Sequence, residues 1–328
     1  MAVPVAEWRP AAAAAAVPAE MSAVRIDRHG SSEVLELWRG PVPACAPGEL
    51  LVRVAGAGVN PVDCKTRAGK GVAALNPLPA ILGWDLSGTV VAAGEGSDRR
   101  RVGSRVYGLV RFPQPAGCYA EYVAAPQGEL ALAPRTLDLA DAGALPLVGL
   151  TALQALAEHG RVGRGDKVLV HAGAGGVGHV AVQIAKVLGA EVAATASAGN
   201  LEYLRELGAD AAIDYRARPF EQGLGGFALV IDAVGGEVGR RSLPLLAPGG
   251  LLVALADDPD QALAAELGVA ARRIRVHPDA AGLDRLARWV DAGRLELSIA
   301  ARLPLERAGE AHELVESRRL RGKAVLLL

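Results

Sequence analysis

Three glycines in the segment VLVHAGAGGVGHVAVQIAKVLGAEV have the spacing of a phosphate-binding loop. Gly173, Gly175 and Gly178 form G-x-G-x-x-G directly after an apolar strand and at the start of a helix. We expect Gly173 to permit the tight turn, Gly175 to admit a pyrophosphate to the backbone, and Gly178 to let helix and strand pack closely. The helix N-terminus would turn its unpaired N–H groups toward the phosphates. The segment therefore predicts a dinucleotide site formed by Gly173, Gly175, Gly176, Val177 and Gly178, against the alternative of a turn that binds nothing.

The end of the next strand favours one of the two nicotinamide cofactors. An NAD site usually carries Asp or Glu there, bonded to the ribose 2′-hydroxyl, whereas this chain reads TASAGN at 195–200. An acid would repel a 2′-phosphate, and the small polar groups of Ser197 and Asn200 can hydrogen-bond it. We therefore predict NADPH, with Tyr215 completing the phosphate pocket and the two arginines after it either joining the pocket or lying at the surface. The missing acid also disfavours an S-adenosylmethionine site.

Length and composition limit what these residues can belong to. The 328 residues suffice for about two domains, and an apolar fraction of 51% with 22% charged residues is typical of a soluble globular protein. A net charge of −1 gives no general attraction to nucleic acid or anionic lipid. The three scattered cysteines predict neither a disulfide framework nor paired metal ligands, and no apolar run approaches a membrane span. A cytoplasmic protein is expected.

Two patterns follow each other along the chain. Residues 21–140 read as short strands between Gly/Pro turns, with a helix beginning near 138, and from 166 strands and helices alternate. We expect an α/β protein with a β-barrel or sandwich domain (21–140 and 297–328), which the final apolar strand rejoins. A doubly wound parallel sheet covers 141–296, with one cleft between the domains. Residues 1–20 are expected to be a disordered extension or, alternatively, a strap over a partner surface.

Taken together, the motifs resemble the medium-chain dehydrogenase/reductase superfamily in its zinc-independent quinone oxidoreductase-like branch, which includes alkenal and enone reductases. The resemblance covers most of 21–328 and rests on GAGVNPVDCKTRAG (56–69), PAILGWDLSGTVVAAG (79–94), LPLVGLTALQAL, HAGAGGVG and FALVIDAVGG in the family's order. It implies a GroES-like β domain, a Rossmann domain, a homodimer and NADPH in the cleft.

The resemblance also implies that zinc is absent. Zinc-dependent relatives have a ligand where this chain has Asn60 and a His-Glu pair where it has Trp84 and Asp85, so the three protein ligands of a catalytic zinc are not expected. Without a Lewis acid, the expected reaction is hydride transfer from NADPH to an already electrophilic carbon of an enone, enal, enoyl compound or quinone. The alternative is a catalytically silent NADPH-binding protein of the same fold, structural or sensing.

Three further residues receive roles from the resemblance. Asn60 is expected to contact the nicotinamide ribose, and Thr151 the nicotinamide side of the cleft. Lys65 lies where some relatives have Tyr, and its ammonium would hydrogen-bond the developing oxyanion or donate the final proton. The alternative for Lys65 is a solvent-facing side chain paired with Asp63 or a phosphate. Residues expected to pack rather than react are Tyr107, Tyr119, Tyr122, His171 and Cys64.

Overall fold

The computed structural model describes residues 17–98 and 101–328. Of the segment 1–20 expected to be a disordered extension or a strap, residues 1–16 lie outside the described residues, and Glu20 already belongs to the first strand. The strands of the described chain are β1 (Glu20–Ile26), β2 (Glu36–Pro41), β3 (Glu49–Val59), β4 (Ala80–Ile81), β5 (Asp85–Ala93), β6 (Arg105–Leu109), β7 (Tyr122–Pro126), β8 (Leu130–Leu132), β9 (Lys167–Val170), β10 (Glu191–Ala196), β11 (Ala211–Asp214), β12 (Phe227–Asp232), β13 (Leu246–Ala254), β14 (Ala270–Arg273), β15 (Ile299–Pro304) and β16 (Lys323–Leu327).

Helices connect these strands. They are α1 (Pro61–Arg67), α2 (Leu139–Ala142), α3 (Pro146–Leu153), α4 (Gly176–Val187), α5 (Leu201–Glu206), α6 (Glu237–Ser242), α7 (Gln261–Glu266), α8 (Ala280–Asp291) and α9 (Ala308–Glu316). Within the described ranges, no helix is both long and apolar enough to cross a bilayer.

The chain divides into two compact units. Among the described residues, the first comprises 17–98, 101–147, 277–293 and 299–328, and the second 148–276 and 294–298. This division differs from the predicted boundaries in helix α8, which the alternating pattern assigned to the second domain. Helix α8 lies in the first unit, where the Tyr107 hydroxyl donates to Leu283 O at 2.6 Å and the Asp291 carboxylate accepts from Arg135 N at 2.7 Å.

The first unit is built on a mostly antiparallel sheet of strand order β15-β16-β3-β5-β6-β8, with β7 also pairing β3. Strand β16 at the C-terminal end pairs antiparallel with β3, which confirms that the final apolar strand rejoins this region. A second small sheet has the order β2-β1-β4. Alternating apolar side chains of the strands, such as Leu50, Val52 and Leu86, fill the core.

A helix interrupts the region predicted to be all strand. Helix α1 starts at Asn60, whose backbone N–H donates to Asp63 Oδ2 at 2.6 Å, and Pro61 occupies the first helical position, where its missing N–H has no cost. The local sequence N-P-V-D is thus a complete helix start. Strand periodicity in the flanking runs concealed it.

The second unit contains a parallel sheet of order β11-β10-β9-β12-β13-β14, in which every neighbouring pair is parallel. This topology confirms the doubly wound sheet. The order reverses between β9 and β12, and ligands of such sheets bind at the carboxyl ends of the strands beside that reversal. The glycine-rich segment directly follows β9.

The helix predicted to begin near 138 is broken into pieces. Helix α2 ends before Gly143, and α3 begins at Pro146 and continues into a π-helical turn over 154–159. A Cβ at Gly143 would collide with Gly56 O of β3, so the chain passes close to the sheet at this point. Pro146 cannot continue a preceding helix because it has no N–H.

Candidate functional site

The glycine loop joins β9 to α4. Gly175 caps α4 with extended backbone angles, and the first intrahelical bond runs from His179 N to Gly175 O at 3.0 Å. The N–H groups of Gly176, Val177 and Gly178 precede that bond and have no partner within the helix. These backbone donors, with the positive end of the helix dipole, form the kind of site that binds phosphate.

Each glycine of the motif is required at its position for its own physical reason. A Cβ at Gly178 would collide with Ala172 O and lie 2.7 Å from Gly173 Cα, so Gly178 allows helix and strand to pack, as predicted. A Cβ at Gly175 would have one contact within 4 Å in the described chain, 3.2 Å from Ala172 O, so the space beside Gly175 is open. Such an opening is what the approach of a pyrophosphate to the backbone requires.

Gly173 lies in the turn that follows β9, and its place there depends on close packing. The left-handed backbone of the turn falls on Ala172, with φ of 53°, and not on Gly173. A Cβ at Gly173 would lie 2.9 Å from Leu204 Cδ2 and 3.0 Å from the Ala194 side chain. Gly173 therefore provides close packing against β10 and α5 rather than a special backbone angle.

The residues predicted to bind a 2′-phosphate lie together at the ends of β10 and β11. Ser197 and Asn200 flank one short turn, in which Asn200 N donates to Ser197 O at 2.8 Å. Tyr215 N donates to Ala196 O at 3.3 Å, which places Tyr215 beside this turn, and the residue is 49% exposed. The Arg216 guanidinium lies over that ring at 5.5 Å and adds a positive charge to the surface.

Thr151 lies in α3 and is buried. Its contact with the cofactor stays a prediction. Its helix belongs to the second unit from residue 148 onward.

In the first unit, Asn60 lies in a fully buried polar centre with Asp85 and Lys323. Asn60 Nδ2 donates to Asp85 Oδ2 at 2.9 Å, and Lys323 Nζ donates to Asn60 Oδ1 and to Val59 O, the latter at 2.7 Å. Asp85 Oδ1 also accepts from Leu147 N at 2.8 Å. Both ends of the Asn60 carboxamide are therefore used inside the protein, and its ribose contact stays a prediction.

Burial dominates the electrostatics of this centre. It raises the pKa of Asp85 to about 6, although the Lys323 ammonium and the Asn60 hydrogen bond oppose the shift. Burial likewise raises the pKa of Asp63 and lowers that of Lys323. Asp63 Oδ1 is buried without a donor in hydrogen-bonding geometry. One ammonium close to two carboxylates compensates much of their charge.

Lys65 lies on the solvent-facing side of α1, opposite the side that carries Asp63 and Arg67. Asp63 and Arg67 point into the protein and anchor the helix, with Arg67 bound to Gly30 O, His312 and Glu316. Lys65 is exposed. The alternative pairing of Lys65 with Asp63 is wrong, because the Asp63 side chain is buried on the inner side of α1 and its carboxylate accepts from Asn60 N.

Four of the residues expected to pack rather than react make packing contacts or are buried. The Tyr107 hydroxyl donates to Leu283 O, and Tyr119 is buried against His312. Tyr122 packs on the Met21–Ala23–Ala120 cluster. Cys64 is buried, and burial raises the pKa of its thiol, so it is a poor nucleophile.

Two family models match this chain. A model described as an alcohol dehydrogenase GroES-like domain matches residues 46–135, and one described as a zinc-binding dehydrogenase matches residues 207–326. A curated 2-methylene-furan-3-one reductase from Solanum lycopersicum is 35% identical over 320 residues, covering 94% of this chain and 80% of the relative. This chain belongs to the medium-chain dehydrogenase/reductase superfamily. The predicted resemblance is thereby confirmed.

Further relatives identify the branch of the superfamily. A chloroplastic NADPH-dependent alkenal/one oxidoreductase from Arabidopsis thaliana is 34% identical over 322 residues, covering 95% of this chain and 81% of that protein. The solved quinone oxidoreductase from Coxiella burnetii has a TM-score of 0.89 and 37% identity, covering 94% of this chain and 99% of the other. The chain is a quinone oxidoreductase-like member of the superfamily.

The description of one matched model raises the question of zinc, and the residues present do not fit it. Trp84 occupies the expected His position, and its indole N–H donates to Gln114 O at 2.7 Å and has no lone pair for a metal. Asn60 Oδ1 accepts from the Lys323 ammonium, which places a positive charge where a cation would bind. In the described part of the chain, no group of three His, Cys, Asp or Glu side chains is gathered for a metal.

Lys323 is the site residue that sequence reasoning missed. It is a lone lysine in the apolar run GKAVLLL, a setting in which a charged side chain needs a partner. That signal identifies Lys323 as unusual. Its partners lie more than 200 residues earlier, so only the pairing of β16 with β3 reveals them.

Proposed function

We propose that this protein is an NADPH-dependent oxidoreductase that reduces an activated C=C bond or a quinone. The observation that carries the proposal is the glycine loop at the sheet's reversal point, open beside Gly175 and bordered by hydroxyl, amide and arginine groups with no acid at the end of β10. The relatives named as alkenal/one, furanone and quinone reductases support the same reaction class.

The backbone and side chains divide the binding of NADPH between them. The amides of Gly176, Val177 and Gly178 would hold the pyrophosphate, and the open space at Gly175 would admit it. Ser197, Asn200 and Tyr215 would bind the 2′-phosphate, and the exposed Arg216 beside Tyr215 supports this assignment. When bound, NADPH supplies a hydride.

We assign to Lys65 a direct contact with the substrate. Hydride addition to the β-carbon of a conjugated carbonyl moves the C=C electron pair toward the oxygen, which becomes an enolate. A proton then adds at the α-carbon, so one hydride and one proton saturate the bond. The Lys65 ammonium would hydrogen-bond the enolate oxygen or deliver the proton. Its exposure on α1 supports access to a ligand.

We propose that the reaction uses no zinc. Asn60 and Trp84 stand where zinc-dependent relatives have ligands, Asn60 Oδ1 accepts from the Lys323 ammonium, and the Trp84 indole N–H donates to Gln114 O. A conjugated or quinonoid acceptor is already electrophilic and needs no Lewis acid, whereas an alcohol would need one.

The oligomeric state and the cellular location remain proposals. We propose a homodimer formed along β14, because this edge strand pairs with β13 alone in the described chain. Strand β14 ends at Arg273. We also propose a cytoplasmic location, which the three free cysteines support. Light scattering of the purified protein tests the dimer.

The decisive experiment follows NADPH oxidation against a panel of enals, enones, enoyl thioesters and quinones. We expect turnover with at least one of these classes and little with NADH. NADPH binding, detected by fluorescence, without turnover on any member of the panel would support the catalytically silent alternative instead.

A further inference from the structure

A buried histidine lies directly behind the glycine loop. His171 follows the last residue of β9 and is 1% exposed. Its Nδ1 lies 3.1 Å from Thr195 Oγ on β10, and its Nε2 lies 2.8 Å from Ser242 Oγ at the end of α6. The imidazole thus joins three elements of the second unit at the carboxyl edge of the sheet.

The direction of each hydrogen bond follows from the partners. The Ser242 hydroxyl donates to Val238 O at 2.6 Å, since a carbonyl only accepts. Ser242 Oγ therefore accepts from His171 Nε2–H. Nδ1 of the neutral ring then accepts from the Thr195 hydroxyl. Burial, with Arg241 nearby, lowers the pKa of His171 to about 4, which keeps this neutral form in place.

Thr195 connects this arrangement to the cofactor loop. Its carbonyl accepts from Gly173 N at 2.9 Å, while its hydroxyl donates to His171. One residue of β10 therefore holds the first loop glycine and is itself held by the imidazole. Thr195 also lies two residues before Ser197, so its position sets where the turn 197–200 begins.

We propose that His171 is a positioning residue for NADPH binding, which fixes Thr195 and through it both Gly173 and the turn that carries Ser197 and Asn200. The inference rests on the proposed function. It assigns to His171 no contact with the substrate or with the reacting atoms. Loss of the imidazole would let the glycine loop and the turn 197–200 move independently. The cofactor would then have to order them on binding.

The test measures the dissociation constant of NADPH by fluorescence for wild type, His171→Leu and Thr195→Val. Thr195→Val keeps the shape of the side chain and removes the hydroxyl that donates to His171. We expect affinity to fall about tenfold in Thr195→Val, as for loss of one buried hydrogen bond, and at least as much in His171→Leu, which loses two. The KM for NADPH should rise in parallel while kcat at saturating NADPH changes less than about twofold. His171→Gln, which retains a donor and an acceptor, should recover part of the affinity.

His312 provides a matched control for a purely structural role. It is also a buried neutral histidine with two hydrogen bonds, to Arg67 and Tyr119, but it lies in the first unit. His312→Leu should lower Tm as His171→Leu does and leave the NADPH dissociation constant unchanged.

The possible results separate the two proposals. Wild-type NADPH affinity in both His171→Leu and Thr195→Val overturns the positioning role and leaves the proposed function intact. An equal loss of affinity in His312→Leu also overturns it, because stability alone would then explain the effect. A wild-type protein that does not bind NADPH overturns the proposed function, and the positioning role with it.

Discussion

The polar centre of the first unit contains side-chain charges of both signs, whereas the glycine loop of the second contains none. Around Asn60, two carboxylates and the Lys323 ammonium are buried close together, and hydrogen bonds to Asn60 link them. From Ala172 to Gly178 every residue is Ala, Gly or Val, and the available polar groups are backbone N–H donors. Both regions follow a strand and start a helix, yet they treat charge in opposite ways.

The difference indicates which region is complete without a ligand. The polar centre compensates its carboxylates with its own ammonium, so an added cation would be repelled. The glycine loop offers donors and a positive helix end with no anion of its own, so a phosphate would complete it. We expect the first region to respond to mutation mainly in stability and the second mainly in cofactor affinity.

The largest effect expected is at the loop. Gly175→Val places a branched side chain in the space open to the pyrophosphate, and NADPH affinity should fall by more than about a hundredfold while the protein still melts cooperatively. Fluorescence titration and a thermal melt measure the two quantities. Gly178→Ala is the contrasting variant, since its Cβ collides with Ala172 O and should lower Tm as well. Normal NADPH affinity in Gly175→Val would show that the loop is only a turn.

The next effect is at Lys323. Lys323→Met removes the buried ammonium and leaves Asp85 and Asp63 uncompensated, which should lower the free energy of unfolding by about 3–5 kcal/mol. Adding Asp85→Asn should restore part of that loss, because the double variant buries one fewer unpaired charge. Urea unfolding of the two single variants and the double variant measures the coupling. Strict additivity would contradict charge compensation in the polar centre.

Lys65 separates a catalytic role from a binding role. Lys65→Met should lower the single-turnover rate of NADPH oxidation by about 10²–10³, the usual effect of removing one oxyanion donor, with NADPH affinity unchanged. Stability should change by less than about 0.5 kcal/mol, because Lys65 is exposed. Weaker NADPH binding with a normal rate would assign Lys65 to a phosphate, and no change in either would make it an ordinary surface lysine.

The two regions should also differ in the sign of their pH dependence. Burial raises the pKa of Asp85 to about 6, so its contribution to stability is full below about 3.8 and is lost as pH rises through 6. Burial lowers the pKa of His171 to about 4, so its contribution is full above about 6.5 and is lost as pH falls through 4. Each change amounts to about 3 kcal/mol.

Stability curves of two variants isolate these contributions. The stability difference between wild type and Asp85→Asn should decrease from pH 4 to 6.5, and the difference between wild type and His171→Leu should increase over the same range. Slopes of the same sign would contradict the assigned burial of one of the two groups.

The parts predicted from the sequence are those in which neighbouring residues determine the structure. The strand, glycine loop and helix around 173–178 are contiguous, so spacing alone locates them. The helix start at Asn60 was equally local and was missed, because apolar runs on either side suggested continuous strand. Gly173 was located from the spacing, whereas the neighbours that leave no room for a side chain there, Leu204 and Ala194, come from other elements.

The remaining features depend on contacts between distant parts of the chain. Lys323 meets Asn60 only because β16 pairs with β3, and His171 meets Ser242 across 71 residues. Helix α8 lies in the first unit through hydrogen bonds to Tyr107 and Arg135 that no periodicity indicates. Propensity describes elements, whereas these contacts depend on how the elements pack.

The central claim, that this protein reduces an activated acceptor with NADPH and without a metal, is tested most directly by one paired rate measurement. Purified full-length protein is exhaustively chelated, its zinc content is determined, and two rates are measured: NADPH oxidation with conjugated carbonyls and quinones, and NADP⁺ reduction with alcohols. We predict substoichiometric zinc, an unchanged rate in the first reaction and no detectable second reaction. Stoichiometric zinc together with chelator-sensitive alcohol oxidation would contradict the account.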